Sequence, residues 1–449
     1  MSRAKPTFLR AGLAGGGGEN GRTKILRGLR VVELATVIAA PCACALLCDF
    51  GAEVIKIENP SNPDIARGWG RHDSAEKTGD PALRSAILPK NGGGGSAFIQ
   101  LNRGKKSLTL DISKPEGKLI LRKAIASADI FVTNVRQKSL EKMGIDYDSL
   151  RAKHPRLIYG QLSAWGRDGP KKNDPGYDFA AFWAHTGIMD LIRSSDEADM
   201  PRFPGGVGDY TTGCQMFGGI LGALYHRERT GEGQLVDAAL MRSGIWFLAH
   251  VIVQGVGGNT WALEGSGSKK VPTGSVRETT KLGARRTGIT DQPFKCSDGV
   301  WLYLLGLEQR RHMPATLRAL GLKPEDIFGS SKRPTKDIDW RAATALVDKV
   351  FLTRTSQEWG EVFDFHGVWW TKVNRFNVIH EDEQANAAKT FVSVPGVRHK
   401  VIANPVILSK ADANPESSAP VFGANNEEVL ADLGYSDIDI DDLRRKKVI

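Results

Sequence analysis

Cysteine and histidine are scarce in this chain: five and nine among 449 residues. Five thiols cannot form the dense disulfide framework of small secreted domains. Cys42, Cys44 and Cys48 lie close together, but without the C-x-x-C pairs or histidines of a zinc site, and no metal is expected. They read as small buried residues of a reduced compartment. Long apolar runs are missing too. The richest, Val37 to Cys48, is short and carries Pro41, well below the roughly 18 residues of a membrane span. Aromatics make up 8% and are not interleaved with basic side chains as in single-strand readers. No G-x-G-x-x-G follows a strand, and P-loop, H-E-x-x-H and G-x-S-x-G patterns are absent. A nicotinamide dinucleotide site and the common hydrolase signatures therefore lack support.

What is present is a basic chain of ordinary globular composition. Hydrophobic residues make up 41% and charged residues 25%, with a formal net charge of +10. The length exceeds what one core usually accommodates, which predicts two domains. The cations are scattered (Arg103, Lys105, Lys106, Arg285, Arg286, Arg310, Arg311), with one cluster from Arg444 to Lys447. A solvated basic surface accounts for most of them, and a phosphorylated small molecule suits the rest at least as well as nucleic acid. Residues 1–24 read as a disordered tail. The first 18 hold Arg3, Lys5 and Arg10, no acid and the run Gly15 to Gly18, so a cytoplasmic protein is expected, with a mitochondrial presequence as the alternative.

Along the first half, strand and helix alternate. Leu29 to Leu34 is a buried strand, Pro41 opens an apolar helix, and Glu53 to Ile57 is the next strand. A polar, Gly-rich excursion from about Ser61 to Ser96 reads as a mobile surface loop. Strands follow at Lys106 to Asp111, Ile130 to Thr133 and Leu157 to Leu162. Helices are predicted over Pro115 to Ala126 and around Leu140 and Leu150. This spacing argues for a parallel sheet with helices on both faces, which binds ligands at its carboxyl edge. A long helix rich in small residues runs from Tyr210 to Thr230. Farther on, Phe294 to Leu305 reads as a hairpin turning at Asp298-Gly299. Helices around Arg341 to Val350 and Gln357 to Phe363 complete a smaller α+β domain. Glu427 to Val448 is helical again.

Three acidic positions are candidates for chemistry. Asp209 ends Gly205-Gly206-Val207-Gly208-Asp209 just before the long helix. An aspartate there is often only an N-cap, which local sequence favours. The same place also supplies amide donors and a helix dipole that keep a carboxylate ionised, as nucleophilic attack on a thioester requires. Tyr177-Asp178 follows Asp174-Pro175-Gly176 and reads as a turn and cap, or as a second polar group of the same cleft. Glu308, after Gly306, is either a surface helix start or a third site residue.

From about Ile25 onward the chain resembles the class III CoA-transferase, or CaiB/BaiF, family. The resemblance rests on LRGLRVVELATVIAAPCACALLCDFGAEVIKIENP, NRGKKSLTLDISKPEGK, HPRLIYG at 154–160 and PGYDFAA. It continues through GDYTTGCQMFGGILGALYHRERTGEGQLVDAAL and the ending EEVLADLGYSDIDIDDLRRKKVI. It implies an α/β fold with a Rossmann-like large domain built from both chain ends, a smaller α+β domain, and two chains interlocked as a homodimer. The implied boundaries are 25–240 for the first part of the large domain, 241–273 and 402–419 for linkers, 274–401 for the small domain and 420–449 for the return.

The resemblance implies Asp209 as the catalytic carboxylate, accompanied by Tyr177 and Asp178. It places CoA against Ile38, Ala39, Leu110, Asp111, Ile112, Ser113, Asn134 and Lys142. CoA and acyl-CoA enter as substrates, with a small carboxylic acid as acceptor. No permanently bound cofactor, nucleic acid or membrane is implied. The chain departs from the family at three places. Asn59 stands where several members carry Arg, Ile38 where some oxalate-type enzymes carry Gln, and Arg285 to Gln292 where those enzymes have a glycine-run loop. These differences leave CoA binding intact and argue against formyl or oxalyl specificity. Two alternatives remain at this point. One is an α-methylacyl-CoA racemase on the same fold, although Tyr177 occupies the position of the racemase's histidine base. The other is a non-catalytic CoA-binding scaffold.

Overall fold

The computed structural model describes residues 23–69, 94–194, 198–256, 288–329 and 338–449. Residues 1–22 of the expected disordered tail, most of the Gly-rich excursion and much of the 241–273 linker lie outside them; at the tail's end Lys24 is buried, its Nζ 2.9 Å from Asp412 Oδ2.

Two compact units are present. The first takes in residues up to 188, 202–249 and 384–449; the second takes in 189–201 and 250–383. In chain order the elements are β1 (Arg30–Leu34), α1 (Ala39–Asp49), β2 (Glu53–Glu58), α2 (Ser96–Asn102), β3 (Lys106–Thr109), α3 (Pro115–Ala126), β4 (Ile130–Thr133), α4 (Gln137–Met143), α5 (Tyr147–Arg151) and β5 (Ile158–Ser163). A π-helical segment, Phe179–Ala184, and the single turn α6 (Ile188–Leu191) precede the long α7 (Val207–Thr230), β6 (Leu235–Ala239), α8 (Leu240–Phe247) and α9 (Ala249–Val256). Of these elements, α2, α6, β6, α8 and α9 are not evident from the sequence pattern, and α8 and α9 occupy much of the described part of the expected 241–273 linker.

β1 to β6 form one parallel sheet in the order β3-β2-β1-β4-β5-β6. Its apolar strands are buried on both faces, as a parallel sheet covered by helices requires. Neighbouring residues point to opposite faces, so Val31, Val54 and Ile130 pack with α1 and α7, in a core that includes Leu47, Met216 and Ile220. Val32, Ile55 and Phe131 pack on the other face with Ile120 and Leu121 of α3. Val429 and Leu430 of the helix Asn426–Asp432 and Ile440 and Leu443 of the helix Asp437–Arg445 join that second face. The chain's last segment is thus part of the same core as its first strands.

In the second unit, β7 (Gln292–Lys295), β8 (Trp301–Leu304) and β9 (Trp370–Lys372) form a three-stranded antiparallel sheet. The expected hairpin is there, with Gly299 at φ +81° in its turn. Phe294, Leu302, Val347, Phe351, Trp359 and Phe363 fill its core. Among the described residues no helix is long and apolar enough to cross a membrane, and no group of acidic, histidine or cysteine side chains is placed to hold a metal ion.

Candidate active site

The parallel strands bring the carboxyl ends of β1, β4 and β5 to one edge of the sheet, where α/β folds bind ligands. A cavity of about 220 Å³ opens there. Thr36, Val37, Ile38 and Ala39 line it from the turn between β1 and α1. Asn134 contributes from the end of β4, Tyr177 from the loop before the π-helical segment, and Asp209 from α7.

The β1–α1 turn is held from behind by a buried ionic cluster. Lys56 Nζ lies 3.0 Å from Glu33 Oε1 and 3.0 Å from Asp64 Oδ2, and donates to the Ala35 carbonyl at 2.8 Å. Lys105 Nζ pairs with the other Glu33 oxygen at 2.6 Å. Burial alone would push the Glu33 carboxyl up, but Lys105 and Lys56 outweigh it and hold it below the ordinary range. Asp64 Oδ1 accepts from the Val37 amide at 3.0 Å, and Val37 sits at φ +73°. A β-branched residue in that region is strained, and it persists because its surroundings over-determine it. Asn134 ties the same turn to β4, accepting from Thr36 N at 3.2 Å and donating to Thr36 O at 2.8 Å. No side chain caps α1. Pro41 at its third position has no amide hydrogen, and of the two first-turn amides before it, Ala39 belongs to a residue that lines the cavity.

Asp209 lies inside the first turn of α7, not ahead of it. Gly206, at φ +95°, is the N-cap residue, a conformation that favours glycine. The capping role suggested by local sequence therefore does not apply, since Asp209 makes no cap hydrogen bond. The expectation that amide donors keep it ionised is also overturned. The residue is only 8% exposed, and burial, reinforced by the Asp178 carboxylate, raises its carboxyl from 3.8 to about 7. That shift corresponds to about 4 kcal/mol, whereas a helix dipole contributes at most about 2 kcal/mol. Burial wins.

Asp178 is buried as well, and burial raises its pKa against the pull of the Gly206 amide. Its Oδ2 accepts from Gly206 N at 2.9 Å, so it clamps the loop before α7 and does not cap its own helical segment. Gly208 makes room for this contact: a Cβ there would lie 2.1 Å from Asp178 Oδ1 and 2.4 Å from Phe182 Cγ. The amide of Gly206 is consequently committed to Asp178. It is not a free oxyanion donor.

The other sequence candidates fall in several places. Ile38 approaches Gly206, whose hypothetical Cβ would be 3.0 Å from Ile38 Cδ1. Tyr177 lines the cavity but is 71% exposed. Leu110, Asp111, Ile112 and Ser113 follow β3 at the same carboxyl edge, away from the cavity lining. Leu110 is buried, and Asp111 Oδ1 accepts from Ser113 N at 3.0 Å and Ser113 Oγ at 2.6 Å. Lys142 is exposed on α4. Asn59 Oδ1 accepts from Ser61 and Asn62 amides, closing its own turn. Glu308 precedes α10 (Gln309–Leu320) in the second unit, with an exposed side chain 3.7 Å from Arg311. The surface helix start is what is found. Sequence reading missed the Lys56–Asp64–Val37 support, because nothing local marks a valine for positive φ.

A family model described as CoA-transferase family III matches residues 26–426. The chain is 29% identical over 434 residues to (R)-2-hydroxy-4-methylpentanoate CoA-transferase of Clostridioides difficile, a match spanning 95% of this chain and 99% of that one. It is 26% identical over 428 residues to the alpha-methylacyl-CoA racemase of Homo sapiens, spanning 94% and 97%. The crystal structure of a CaiB/BaiF family protein from Brucella suis superposes with a TM-score of 0.70 at 26% identity, covering 92% of this chain and all of that one. With a parallel α/β sheet, a cavity at its carboxyl edge and a family match along nearly its whole length, the chain belongs to CoA-transferase family III and is an enzyme of that class.

Proposed function

We propose that the protein transfers CoA from an acyl-CoA donor to a carboxylic acid through covalent intermediates on Asp209. The observation that carries this reading is a buried, uncapped carboxylate facing the cavity at the end of a parallel sheet. A desolvated carboxylate is a stronger nucleophile once ionised, and burial keeps water from competing. An Asp209 oxygen attacks the thioester carbonyl carbon, the C–S bond breaks, and CoA leaves as thiolate from a mixed anhydride. The thiolate, held by its pantetheine arm at high effective concentration, attacks the aspartyl carbonyl and expels the donor carboxylate. An acceptor carboxylate then attacks the resulting aspartyl thioester, and the reverse sequence releases the new acyl-CoA and free Asp209.

The amide of Ala39, at the uncapped start of α1 and on the cavity wall, is suited to hold the developing oxyanion. Ile38, Ala39 and Asn134 are assigned to the pantetheine end of CoA, and Leu110 to Ser113 with Lys142 to its nucleotide end. Asp178 acts through position and charge. The functional assembly is an interlocked homodimer, as the family resemblance implies.

Removal of a proton next to the thioester, the racemase reading, needs a base at Tyr177, and a phenol is a far weaker base than an imidazole at neutral pH. The test uses the wild-type protein and Asp209→Asn. After incubation with acyl-CoA and then hydroxylamine or borohydride, wild type should carry one modified peptide, the one containing Asp209. Exchange should be read by mass spectrometry with succinyl-, acetyl- and longer acyl-CoAs against a panel of acids. Asp209→Asn should lose at least about a thousandfold in exchange. Deuterium uptake at the α-carbon without exchange would transfer the protein to the racemase reading, and CoA binding with neither reaction would leave a scaffold.

A further inference from the structure

Five cysteines are described, and two of them face each other across α1 and α7. Cys42 is buried on α1, and Cys214 is exposed on α7, five positions beyond Asp209. The helices approach closely because Gly213 has no side chain: a Cβ there would lie 2.8 Å from Cys42 Cβ and 3.1 Å from its sulfur. Gly213 immediately precedes Cys214, so this approach places Cys214 of α7 beside Cys42 of α1. Both sulfur-bearing side chains also line a largely apolar cavity of about 520 Å³, together with Leu46, Leu101, Tyr210 and Ile402. This cavity is separate from the one that Asp209 lines.

The two thiols differ chemically. The neighbouring Cys42 thiol outweighs the effect of burial on Cys214 and holds its thiol down to about 7, whereas Cys214 and burial push Cys42 well up. Burial raises Cys44 well above the usual thiol range, Cys48 to about 12 and Cys296 to about 11. An accessible thiolate with a second thiol beside it is the arrangement of a peroxide-reactive cysteine with its resolving partner.

We propose that Cys42 and Cys214 form a hydroperoxide-responsive dithiol, in which Cys214 is oxidised first and Cys42 resolves it into a disulfide joining α1 to α7. With hydrogen peroxide, the Cys214 thiolate attacks one oxygen and the O–O bond breaks. The Cys214 sulfur becomes a sulfenic acid, and the departing hydroxide takes a proton to form water. The Cys42 sulfur then attacks the sulfenic sulfur, the S–S bond forms, the S–O bond breaks, and hydroxide leaves with the Cys42 proton as a second water. Two thiols lose two electrons, and one peroxide is reduced to two waters. The bridge fastens the helix that carries Asp209 to the helix whose first turn borders the Asp209 cavity.

The experiment treats the reduced full-length protein at pH 7 with one to ten equivalents of hydrogen peroxide, followed by alkylation and peptide mapping without reductant. Wild type should yield a Cys42–Cys214 linked peptide that dithiothreitol reverses. Cys214 should react about tenfold faster than Cys296, following its larger thiolate fraction. Cys42→Ser should let dimedone trap a sulfenic acid on Cys214, and Cys214→Ser should leave Cys42 unoxidised. The proposal is overturned if natively folded wild type gives no linked peptide, or if Cys214 reacts no faster than Cys296. Neither readout depends on CoA transfer.

Discussion

The amide of Val37 donates to Asp64 Oδ1 at 3.0 Å, and this bond holds a β-branched residue at φ +73° in the turn that leads into α1. The turn forms one wall of the cavity, so a strained backbone and a buried ion pair act together on the geometry of the site. Asp64→Ala should remove both supports. It leaves Lys56 short of one carboxylate partner and the Val37 amide unbonded, at a cost of about 3 kcal/mol. Adding Val37→Gly should restore part of that stability, because glycine takes positive φ without strain. Urea melts of the single and double variants check this, and no recovery in the double variant would refute the strain.

The pH dependence of stability should carry the signature of Asp209. Its folded pKa, about 7, is raised from 3.8. Below about pH 4 the carboxyl is protonated in both states. Between pH 4 and 7 the unfolded chain releases the proton first, so stability from this group is lost as pH rises through 7. The full difference is about 4 kcal/mol. Asp209→Asn should therefore match wild type near pH 4 and exceed it near pH 8, as measured by denaturant unfolding. A difference independent of pH would refute the shift.

The activity profile should rise with pH to a plateau above about 7, since attack needs the ionised carboxylate. Asp178→Asn should move the midpoint downward, because Asp178 is one of the two groups of effects that raise Asp209, after burial itself. Single-turnover acyl transfer between pH 5 and 9 reads both. An unmoved or raised midpoint would break the electrostatic link.

Gly208→Ala should destabilise by about 1–3 kcal/mol, since its Cβ would lie 2.1 Å from Asp178 Oδ1 and 2.4 Å from the buried Phe182 ring. Displacing Asp178 also disturbs the loop it clamps, so activity should fall by more than the loss of folded protein explains. Comparing thermal melts with activity per folded molecule separates the two.

The protein should sediment as a dimer even at nanomolar concentration, as an interlocked assembly would. A compact monomer under those conditions would refute that assembly.

Much of the sheet was legible in the sequence because adjacent apolar pairs such as Val31-Val32 and Ile130-Phe131 supply both faces of a buried parallel strand. β6 was not, because LVDAA carries an aspartate and two alanines and becomes a strand only by pairing with β5. The glycine context of Asp209 and its place near a helix start were also readable. Its protonation was not: local rules of capping and dipole favour an ionised carboxylate, whereas burial and the distant Asp178 raise it. The same holds for Val37 beside Asp64 and for Cys42 beside Cys214. Which residues could form strands, helices and turns was readable from their neighbours along the chain. Which carboxylate loses its water, which amide gains a buried acceptor and which thiols become neighbours emerge from the folded arrangement, because desolvation and charge depend on neighbours in space.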